Sequence, residues 1–324
     1  MATGPVSSTK LHDLQQDWLS FKSTRDSSQS SDIGQSHRII NMDSSEPQQK
    51  LTGIVGDACR VAGASSPSEL WGLIESQKDV GRNVPANRFN MDGFYQSTSQ
   101  RQGSTNVKRD YFLDQDPGLF DAWFFCTSKK EAESMGPQQR LLLEVVYEGL
   151  EDAGITLDDI AGSKTSVFTG SFSLDYQRLI DLEQPASTSK YAVTGLSQTI
   201  VAGSALHLHP GIFVEMQQLG MLAADGRSKA YDVATDGYAR GEGIVAIILK
   251  RVVDAEAHHD IVKSVIRAVG VNHDGSTQGI TMPNEAAQES LMRETYRNVN
   301  ISLDDTAYFE GHGTGKFSCF GSSH

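Results

Sequence analysis

The stretch GIVAIIL, residues Gly243–Leu249, decides the class of fold. All seven residues are apolar or glycine, and most are β-branched, which favours a strand. A strand with one face in water alternates polar and apolar residues, whereas one covered on both faces is apolar throughout. The stretch therefore predicts a buried sheet strand that is covered on both faces.

Three other stretches on either side of this strand also have strand character. TSVFTG, Thr165–Gly170, is a clear strand, and Gly53–Gly56 predicts a short buried strand at the start of the folded part. Ile261–Val271 predicts a third, long and twisted strand. Since helical patterns lie between these stretches, the alternation predicts an α/β fold.

The strongest helical pattern runs from Pro137 to Ala153. Proline suits the first helical turn, and Gly154 is placed to end the helix in a left-handed conformation. Gly136 stands at the N-cap without a side chain to accept a hydrogen bond. Two further helix starts are predicted at Ser66 and at Asn284, the second leading to about Arg297.

Predictions for the remaining segments are of three kinds. Gly93–Arg109 is polar and rich in turn residues, which predicts a surface loop. Phe120–Phe125 is a dense aromatic run, which predicts core packing. Arg140 and Glu144 stand one helical turn apart and are expected to pair. Cys59 follows the first strand and is expected to be a small buried residue.

Length and composition exclude several classes of function. The chain has 324 residues, 38% apolar and 21% charged, with a net charge of −13. A nucleic-acid partner needs a basic stripe, and none is present. No apolar run reaches the length of a membrane span, and the first thirty residues lack the apolar segment of a secretory signal. The Ser/Gln-rich segment 1–50 is expected to be disordered. Three widely spaced cysteines favour a reducing, cytoplasmic setting.

One histidine stands between glycines near the end of the chain, in EGHGTG, Glu310–Gly315. An apolar and aromatic run that ends at Phe309 predicts a strand before this loop. Glycine lets the backbone pass close to a ligand, and imidazole both donates and accepts near neutral pH. His312 is therefore either a catalytic group or a loop histidine bonded to the backbone.

Five motifs in order carry a resemblance to a known family: GDACR (Gly56–Arg60), MGPQQRLLLE (Met135–Glu144), GYARGEG (Gly237–Gly243), VNHDG (Val271–Gly275) and EGHGTG. From about Ile54 to Gly315 the chain resembles the β-ketoacyl synthase (ketosynthase) domain of iterative, highly reducing polyketide synthases. The resemblance implies the thiolase-like fold, two stacked βαβαβαββ halves. It places the N-terminal half at 51–255, the start of the C-terminal half at 256–315 and an unrelated tail at 316–324.

The chain departs from this family near residues 203–210. There the family carries a few dozen more residues, with a strand, the nucleophilic cysteine turn and the helix behind it. None of Cys59, Cys126 and Cys319 has that context. The first half is thus expected to carry an internal deletion, which should leave apolar parts of Val167–Gly170 and Ile244–Leu249 uncovered, and the second half is only begun.

The resemblance implies a reaction and its residues. Ketosynthases join acyl and malonyl thioesters by decarboxylative Claisen condensation, using a cysteine thiolate and two histidines. His312 matches the first of those histidines, and the match to the second lies beyond the segment reached here. The expectation is an acyltransferase-family chain without condensing activity. The alternative is a non-catalytic remnant that binds an acyl carrier protein or a partner synthase.

Further expectations concern ligands and partners. The resemblance implies substrates carried on phosphopantetheine, with no bound cofactor. It also implies a family homodimer. Because the missing segment lies beside the interface of that dimer, its loss argues against the dimer in this chain. His207, His209, His258 and His259 lack zinc-site spacing and are expected to be scattered surface histidines. Gly237–Gly243 lacks the ending of a phosphate loop. A serine hydrolase using His312 has no nucleophile-elbow sequence.

Overall fold

The computed structural model describes residues 51–98, 101–172, 175–176, 178–179, 198–273, 284–311 and 313. The segment 1–50, the tail 316–324, His312 and Cys319 lie outside the described residues, and so do the predictions made for them.

Strands and helices alternate along the described chain, which confirms the α/β class. The strands are β1 (Thr52–Val61), β2 (Arg82–Asn83), β3 (Arg109–Asp110), β4 (Thr165–Phe172), β5 (Gln198–Ala205), β6 (Gly243–Arg251) and β7 (Ser264–Ile266). The helices are α1 (Pro67–Glu75), α2 (Lys129–Ser134), α3 (Pro137–Asp152), α4 (Leu157–Ile160), α5 (Gly211–Gln218), α6 (Val252–Ala257) and α7 (Glu285–Asn298).

Five strands form the central sheet, in the order β4–β5–β6–β1–β7. β4 and β5 run parallel, while β6 is antiparallel to both of its neighbours, β5 and β1. The stretch quoted first, Gly243–Leu249, is therefore the middle strand of the sheet. Its central position explains its apolar composition, because hydrogen bonds on both edges leave only its side chains to be covered.

Coverage of β6 is unequal on its two faces. Ile244, Ala246 and Ile248 are fully buried beneath α3. Val245, Ile247 and Leu249, which point to the opposite face, are only half-buried. The prediction that both faces are covered is therefore wrong for the second face. At the end of the sheet, Val167 and Phe168 are 40% and 60% exposed, which confirms the expected uncovered apolar surface on β4.

β1 is longer than predicted. It spans ten residues, Thr52–Val61, and Cys59 lies within it rather than after it, with no exposed surface. The additional residues extend the strand because Ala58 and Val61 continue the antiparallel pairing with β6. The prediction that Cys59 is a buried residue is confirmed.

Helix α3 packs across β1, β5 and β6 and forms the core with them. Leu141 and Val145 are fully buried against the sheet, and the helix ends at Gly154 with φ 68°, as predicted. The predicted pair between Arg140 and Glu144 is wrong. Glu144 instead binds Arg60 of β1 at 2.6 Å, which ties the outer face of the helix to the sheet.

The N-terminus of α3 lacks a side-chain cap at Gly136, and only the Gln139 side chain accepts the Gly136 N–H, at 2.9 Å. The Gly136→Asp variant is expected to stabilise the fold by about 0.5–1 kcal/mol, because aspartate would cap the helix and place an anion at its positive end. A rise in Tm of about 1–3 °C would be measured by calorimetry.

The matched control for the cap is Gly136→Ala. An added Cβ would lie 3.3 Å from Tyr176 Cδ1 in either variant, so the difference between the two variants isolates the effect of the carboxylate. Equal melting temperatures for the two variants would contradict the role given to the cap.

The surface-loop prediction for Gly93–Arg109 holds only in part, and the core-packing prediction for Phe120–Phe125 is wrong. The polar segment Gly93–Arg109 contains buried residues, among them Thr105 and Val107, of which Val107 joins a core cluster around Phe112 and Phe213. The aromatic run Phe120–Phe125 lies at the surface instead. Its phenylalanines pack on one another and on Tyr147 of α3, while Trp123 is 89% exposed.

The predicted long strand Ile261–Val271 is also wrong. Only Ser264–Ile266 forms a strand, and it pairs with β1 over three residues. Ile261, Val269 and Val271 are between 77% and 81% exposed, so this apolar sequence lacks the packing that would extend the strand. Helix α7 begins after its Asn284 cap as predicted.

Candidate functional site

The loop that carries His312 runs past residues Ala230–Tyr231. A Cβ added at Gly311 would lie 2.0 Å from the Tyr231 hydroxyl oxygen, and one at Gly313 would lie 2.8 Å from the Ala230 Cβ. A side chain at Gly313 would therefore force the backbone to shift, because the Ala230 Cβ cannot turn aside, whereas at Gly311 the end of the exposed Tyr231 side chain could move. His312 itself lies outside the described residues, so its role stays a prediction.

The segment before this loop is not a strand, and the prediction of a strand ending at Phe309 is wrong. Tyr308 and Phe309 are about half exposed, at 51% and 52%. The Tyr308 hydroxyl donates to the Glu310 carboxylate, and this hydrogen bond raises the pKa of Tyr308. In the described part of the chain, no strand of the sheet lies beside this segment to pair with it.

The motif GYARGEG leads into β6 and is anchored by Glu242. The Glu242 and Arg88 side chains are fully buried and form a bidentate ion pair, with two N–O distances of 2.8 Å. The same carboxylate accepts the backbone N–H of Leu113 at 2.9 Å and of His207 at 3.0 Å. One side chain thus joins three loops to the start of the central strand.

Beside this ion pair lies a second buried polar group, formed by Asp110, His207 and Arg240. His207 Nδ1 and Asp110 Oδ2 are 3.3 Å apart, and both side chains are about 1% exposed. Within the described residues neither of these two atoms has a hydrogen bond of good geometry. The Arg240 guanidinium lies over the rings of Phe172 and Phe213, at 5.2 and 5.5 Å from their centres.

Burial sets the protonation of these groups. Desolvation raises the pKa of Asp110 well above its usual range and lowers the pKa of His207 well below, with the charge of Arg240 lowering both. Desolvation also lowers the pKa of Arg240, against the attraction of Asp110. Burial therefore favours the uncharged form of both Asp110 and His207.

The other histidines serve local structure. His209 Nδ1 accepts the Gly211 N–H at 3.0 Å, and His258 Nδ1 lies 2.6 Å from the Asp254 carbonyl oxygen. The described residues contain no cluster of His, Cys, Asp and Glu that could hold a metal ion. The prediction that His207 lies at the surface is wrong, because its ring packs between Phe112 and Phe213.

Family comparison accounts for most of the chain. Residues 52–202 and 194–255 match the family described as "Beta-ketoacyl synthase, N-terminal domain". Residues 263–317 match "Beta-ketoacyl synthase, C-terminal domain". The chain belongs to the β-ketoacyl synthase family.

Curated relatives of this ketosynthase chain are fungal polyketide synthases. It is 49% identical to the hybrid PKS-NRPS synthetase pynA of Aspergillus niger over 310 residues, which cover 85% of this chain and 8% of that protein. It is 40% identical to the highly reducing polyketide synthase acrA of Aspergillus aculeatus, covering 81% of this chain and 13% of that protein. The ketosynthase chain thus spans about a tenth of these relatives.

Solved ketosynthase domains share its fold. The oxazolomycin ketosynthase domain OzmH KS7 of Streptomyces albus superposes with a TM-score of 0.77 at 26% identity, covering 84% of this chain and 54% of that domain. The ketosynthase from module 6 of the Bacillus subtilis bacillaene synthase gives 0.69 at 28% identity, covering 82% and 51%. The ketosynthase chain therefore has the thiolase-like fold and spans about half of each solved domain.

Of the two cysteines that the structure describes, neither lies at a helix N-terminus. Cys59 is buried within β1. Cys126 is exposed in a left-handed turn, φ 49°, where its N–H donates to the Trp123 carbonyl oxygen. A helix N-terminus is one feature that lowers the pKa of a catalytic thiol, and these two positions lack it. In the described residues, no helix has the length and apolar character needed to cross a membrane.

The buried histidine predicts a pH dependence of folding. An unfolded chain takes up a proton on His207 near the ordinary pKa of 6.5, whereas the folded chain does not. Stability is therefore lost as the pH falls below 6.5. The His207→Gln variant is expected to lose less stability in this range, by up to about 1.4 kcal/mol per pH unit.

The free energy of unfolding by denaturant would be measured for the unaltered chain and for His207→Gln at several pH values on either side of 6.5. Asp110 has the opposite effect, since its raised pKa favours the fold at low pH and this contribution is lost as the pH rises through the folded pKa. Because Asp110 Oδ2 lies 3.3 Å from His207 Nδ1, the two groups titrate together, and the difference between the two pH profiles reports the pair. Parallel pH profiles would refute the assignment.

The sequence did not reveal Arg88, Asp110 and Glu242 as a group. They lie in separate loops and strands, and a buried ion pair leaves no local pattern because its two members are far apart in the chain.

Proposed function

We propose that this chain is a ketosynthase-family polypeptide without condensing activity. The observation that carries the proposal is the absence from its interior of the cysteine turn that the family resemblance implies near residues 203–210. The two family-matched segments, 52–202 and 194–255, overlap at residues 194–202, directly before this position. β5 and the start of α5 occupy this part of the chain without a cysteine.

Chemistry makes this cysteine essential for condensation. An acyl group is transferred from a carrier thioester to a thiolate, because sulfur serves as nucleophile and later as leaving group. His312 would stabilise the enolate oxygen that forms when a malonyl thioester loses CO₂. Without a thiolate to hold the acyl chain, that enolate has no electrophile to attack. Because the thiolate and the histidines act as a unit, losing the thiolate removes most of the effect of His312 as well.

The proposed lack of condensing activity is tested by incubating the full chain with an acyl-carrier thioester and measuring the intact mass of the protein. No acyl adduct is expected, while the ketosynthase from module 6 of the bacillaene synthase serves as the positive control. An adduct that persists in the Cys126→Ser variant, together with a condensation product from malonyl thioester, would overturn the proposal.

The alternative function is a non-catalytic remnant that binds an acyl carrier protein, whose phosphopantetheine arm would present the substrate, or a partner synthase. Its relatives are polyketide synthases by name, which supports an acyl carrier partner. Titration of carrier protein into the chain, followed by calorimetry, separates the two functions. Saturable binding without acylation favours the remnant.

An internal loss of this kind is what an incorrectly joined or aberrantly spliced transcript would produce. Sequencing of the full transcript tests this transcript origin, since an uninterrupted reading frame that restores the cysteine turn would show that an active form is also encoded.

The matched ranges support ketosynthase halves at 51–255 and 256–315.

A further inference from the structure

An exposed aromatic surface lies along the outer side of α3. It consists of Trp123, Phe124, Phe125, Leu143 and Tyr147. Phe124 packs edge-on against Phe125 and Tyr147, with ring centres 4.9 and 4.7 Å apart, while Trp123 is 89%, Phe124 41% and Leu143 39% exposed. Because these ring contacts fix the phenylalanines on the helix, the surface is preformed. An apolar surface of this kind marks an interaction site.

The charge around the aromatic surface is negative. From Asp114 to Asp152 the sequence contains nine acidic side chains and three basic ones. Two exposed carboxylates lie directly beside the rings. Asp121 accepts the Phe124 N–H at 3.0 Å, and Glu151 accepts the Tyr147 hydroxyl. Aromatic faces with carboxylates next to them favour a ligand that is both apolar and cationic.

The segment Lys10–Arg25 of the same chain has this combination of side chains. Its apolar residues recur at spacings of three and four, which is typical of one face of a helix: Leu11, Leu14, Trp18 and Phe21. Lys22 and Arg25 continue that face by one turn and make its end basic. The rest of the first 50 residues contains no Phe, Tyr or Trp. A segment without a core of its own can still fold on binding.

The connection to β1 is long enough for this segment to reach the aromatic surface. The Leu51 carbonyl oxygen accepts the Val252 N–H at 2.8 Å, and Gly56, five residues later, lies against Gly149 of α3. Leu51 is therefore about 17 Å of strand from that contact, and the helix adds about 10 Å of thickness.

Residues 26–50 form the tether. A random coil of this length has an end-to-end distance of roughly 25–30 Å, which matches the span, and gives an effective concentration in the millimolar range. A separate partner would have to reach that concentration in solution. Tethering therefore favours the chain's own segment as the occupant of the surface.

We propose that Lys10–Arg25 binds the aromatic surface of its own chain as an amphipathic helix. Trp18 and Phe21 lie against the exposed rings, and the basic end of the segment lies beside the carboxylates. This is the way in which an amphipathic helix binds an apolar groove, and aromatic pairs strengthen it. A separate protein that binds this surface must first displace the segment.

Cys126 provides a native thiol with which to test the contact. It is exposed and directly follows Phe125, whereas Cys59 is buried. In a Cys319→Ser background, Ser20→Cys or Ser23→Cys is expected to form an intramolecular disulfide with Cys126 on mild oxidation, because binding brings the thiols together. Ser30→Cys, on the same tether but outside the segment, is the matched control and should give a several-fold lower yield. Peptide mapping of the oxidised chain measures the yield.

Tryptophan fluorescence measures the coverage of the surface without cysteine chemistry. Of the three tryptophans in the chain, Trp18→Phe with Trp71→Phe leaves only Trp123 and keeps an aromatic ring at position 18. Serine at positions 18 and 21 is expected to raise the acrylamide quenching of Trp123 by about two-fold, because its ring then loses the aromatic partners that covered it.

The matched control for this measurement is Ile39→Ser with Ile40→Ser, which removes apolar side chains of the tether and should leave the quenching unchanged. Circular dichroism confirms that each variant is folded. All variants retain the full chain.

Three results would overturn the proposal. One is equal cross-linking of Cys126 to cysteines at positions 20, 23 and 30. Another is quenching of Trp123 that does not respond to serine at positions 18 and 21. The third is protection of Trp123 that appears only at high protein concentration or only when acyl carrier protein is added, since a second copy or a carrier would then be the occupant. None of these tests measures acyl transfer, so this proposal and the proposed lack of condensing activity can fail separately.

Discussion

Replacing Gly56 by alanine is expected to destabilise the chain by about 3 kcal/mol or more, which is enough to unfold a marginal domain. Gly56 lies in β1 where α3 crosses the sheet. A Cβ at this position would lie 2.3 Å from the Gly149 carbonyl oxygen and 2.7 Å from the Ala153 Cβ. Backbone atoms cannot move aside as a flexible side chain can, so the helix would have to shift.

The matched control is Gly72→Ala. Gly72 lies within α1, and an added Cβ there meets no atom within 4 Å. This variant is expected to gain about 0.5–1 kcal/mol, because alanine favours a helix over glycine. Urea unfolding followed by circular dichroism measures both, and a Gly56→Ala protein as stable as the parent would show that α3 does not approach β1 this closely.

Breaking the buried ion pair is expected to have the other large effect. The Arg88→Met variant should lose about 3–5 kcal/mol, because methionine leaves the Glu242 carboxylate charged and desolvated without its partner. Both side chains are fully buried. The two backbone N–H groups that Glu242 accepts would stabilise the anion only in part.

The control for this variant is Arg293→Met on α7, where Arg293 pairs with Glu289 and both side chains are 60% exposed. An exposed pair of this kind contributes about 0.3–0.5 kcal/mol. A double variant, Arg88→Met with Glu242→Met, should recover part of the loss, since it removes the unpaired charge. A loss for Arg88→Met as small as that for Arg293→Met would contradict the role of the ion pair.

Local patterns predicted the elements whose neighbours are also local. The apolar run Gly243–Leu249 and the amphipathic helix Pro137–Ala153 were found because periodicity and end residues determine them. Ser66 and Asn284 cap helices as expected, because a cap bonds within its own turn.

What the sequence could not supply was which element covers which face. Apolar composition predicted core packing for Phe120–Phe125 and a long strand for Ile261–Val271, yet the surface positions of both depend on segments far away in the chain. His207 was assigned to the surface for the converse reason, since its burial between two phenylalanines depends on distant contacts. The loop of His312 was identified from five motifs in order, not from spacing alone.

Unequal packing gives the two parts of the chain different opening behaviour. β7 pairs with β1 over three residues, and α7 contains no fully buried residue. The free energy of local opening is lower where fewer apolar contacts are buried. Amide hydrogens of α7 should therefore exchange with solvent through fluctuations that leave β6 closed, and a protease would cut this helix while the central sheet is still intact.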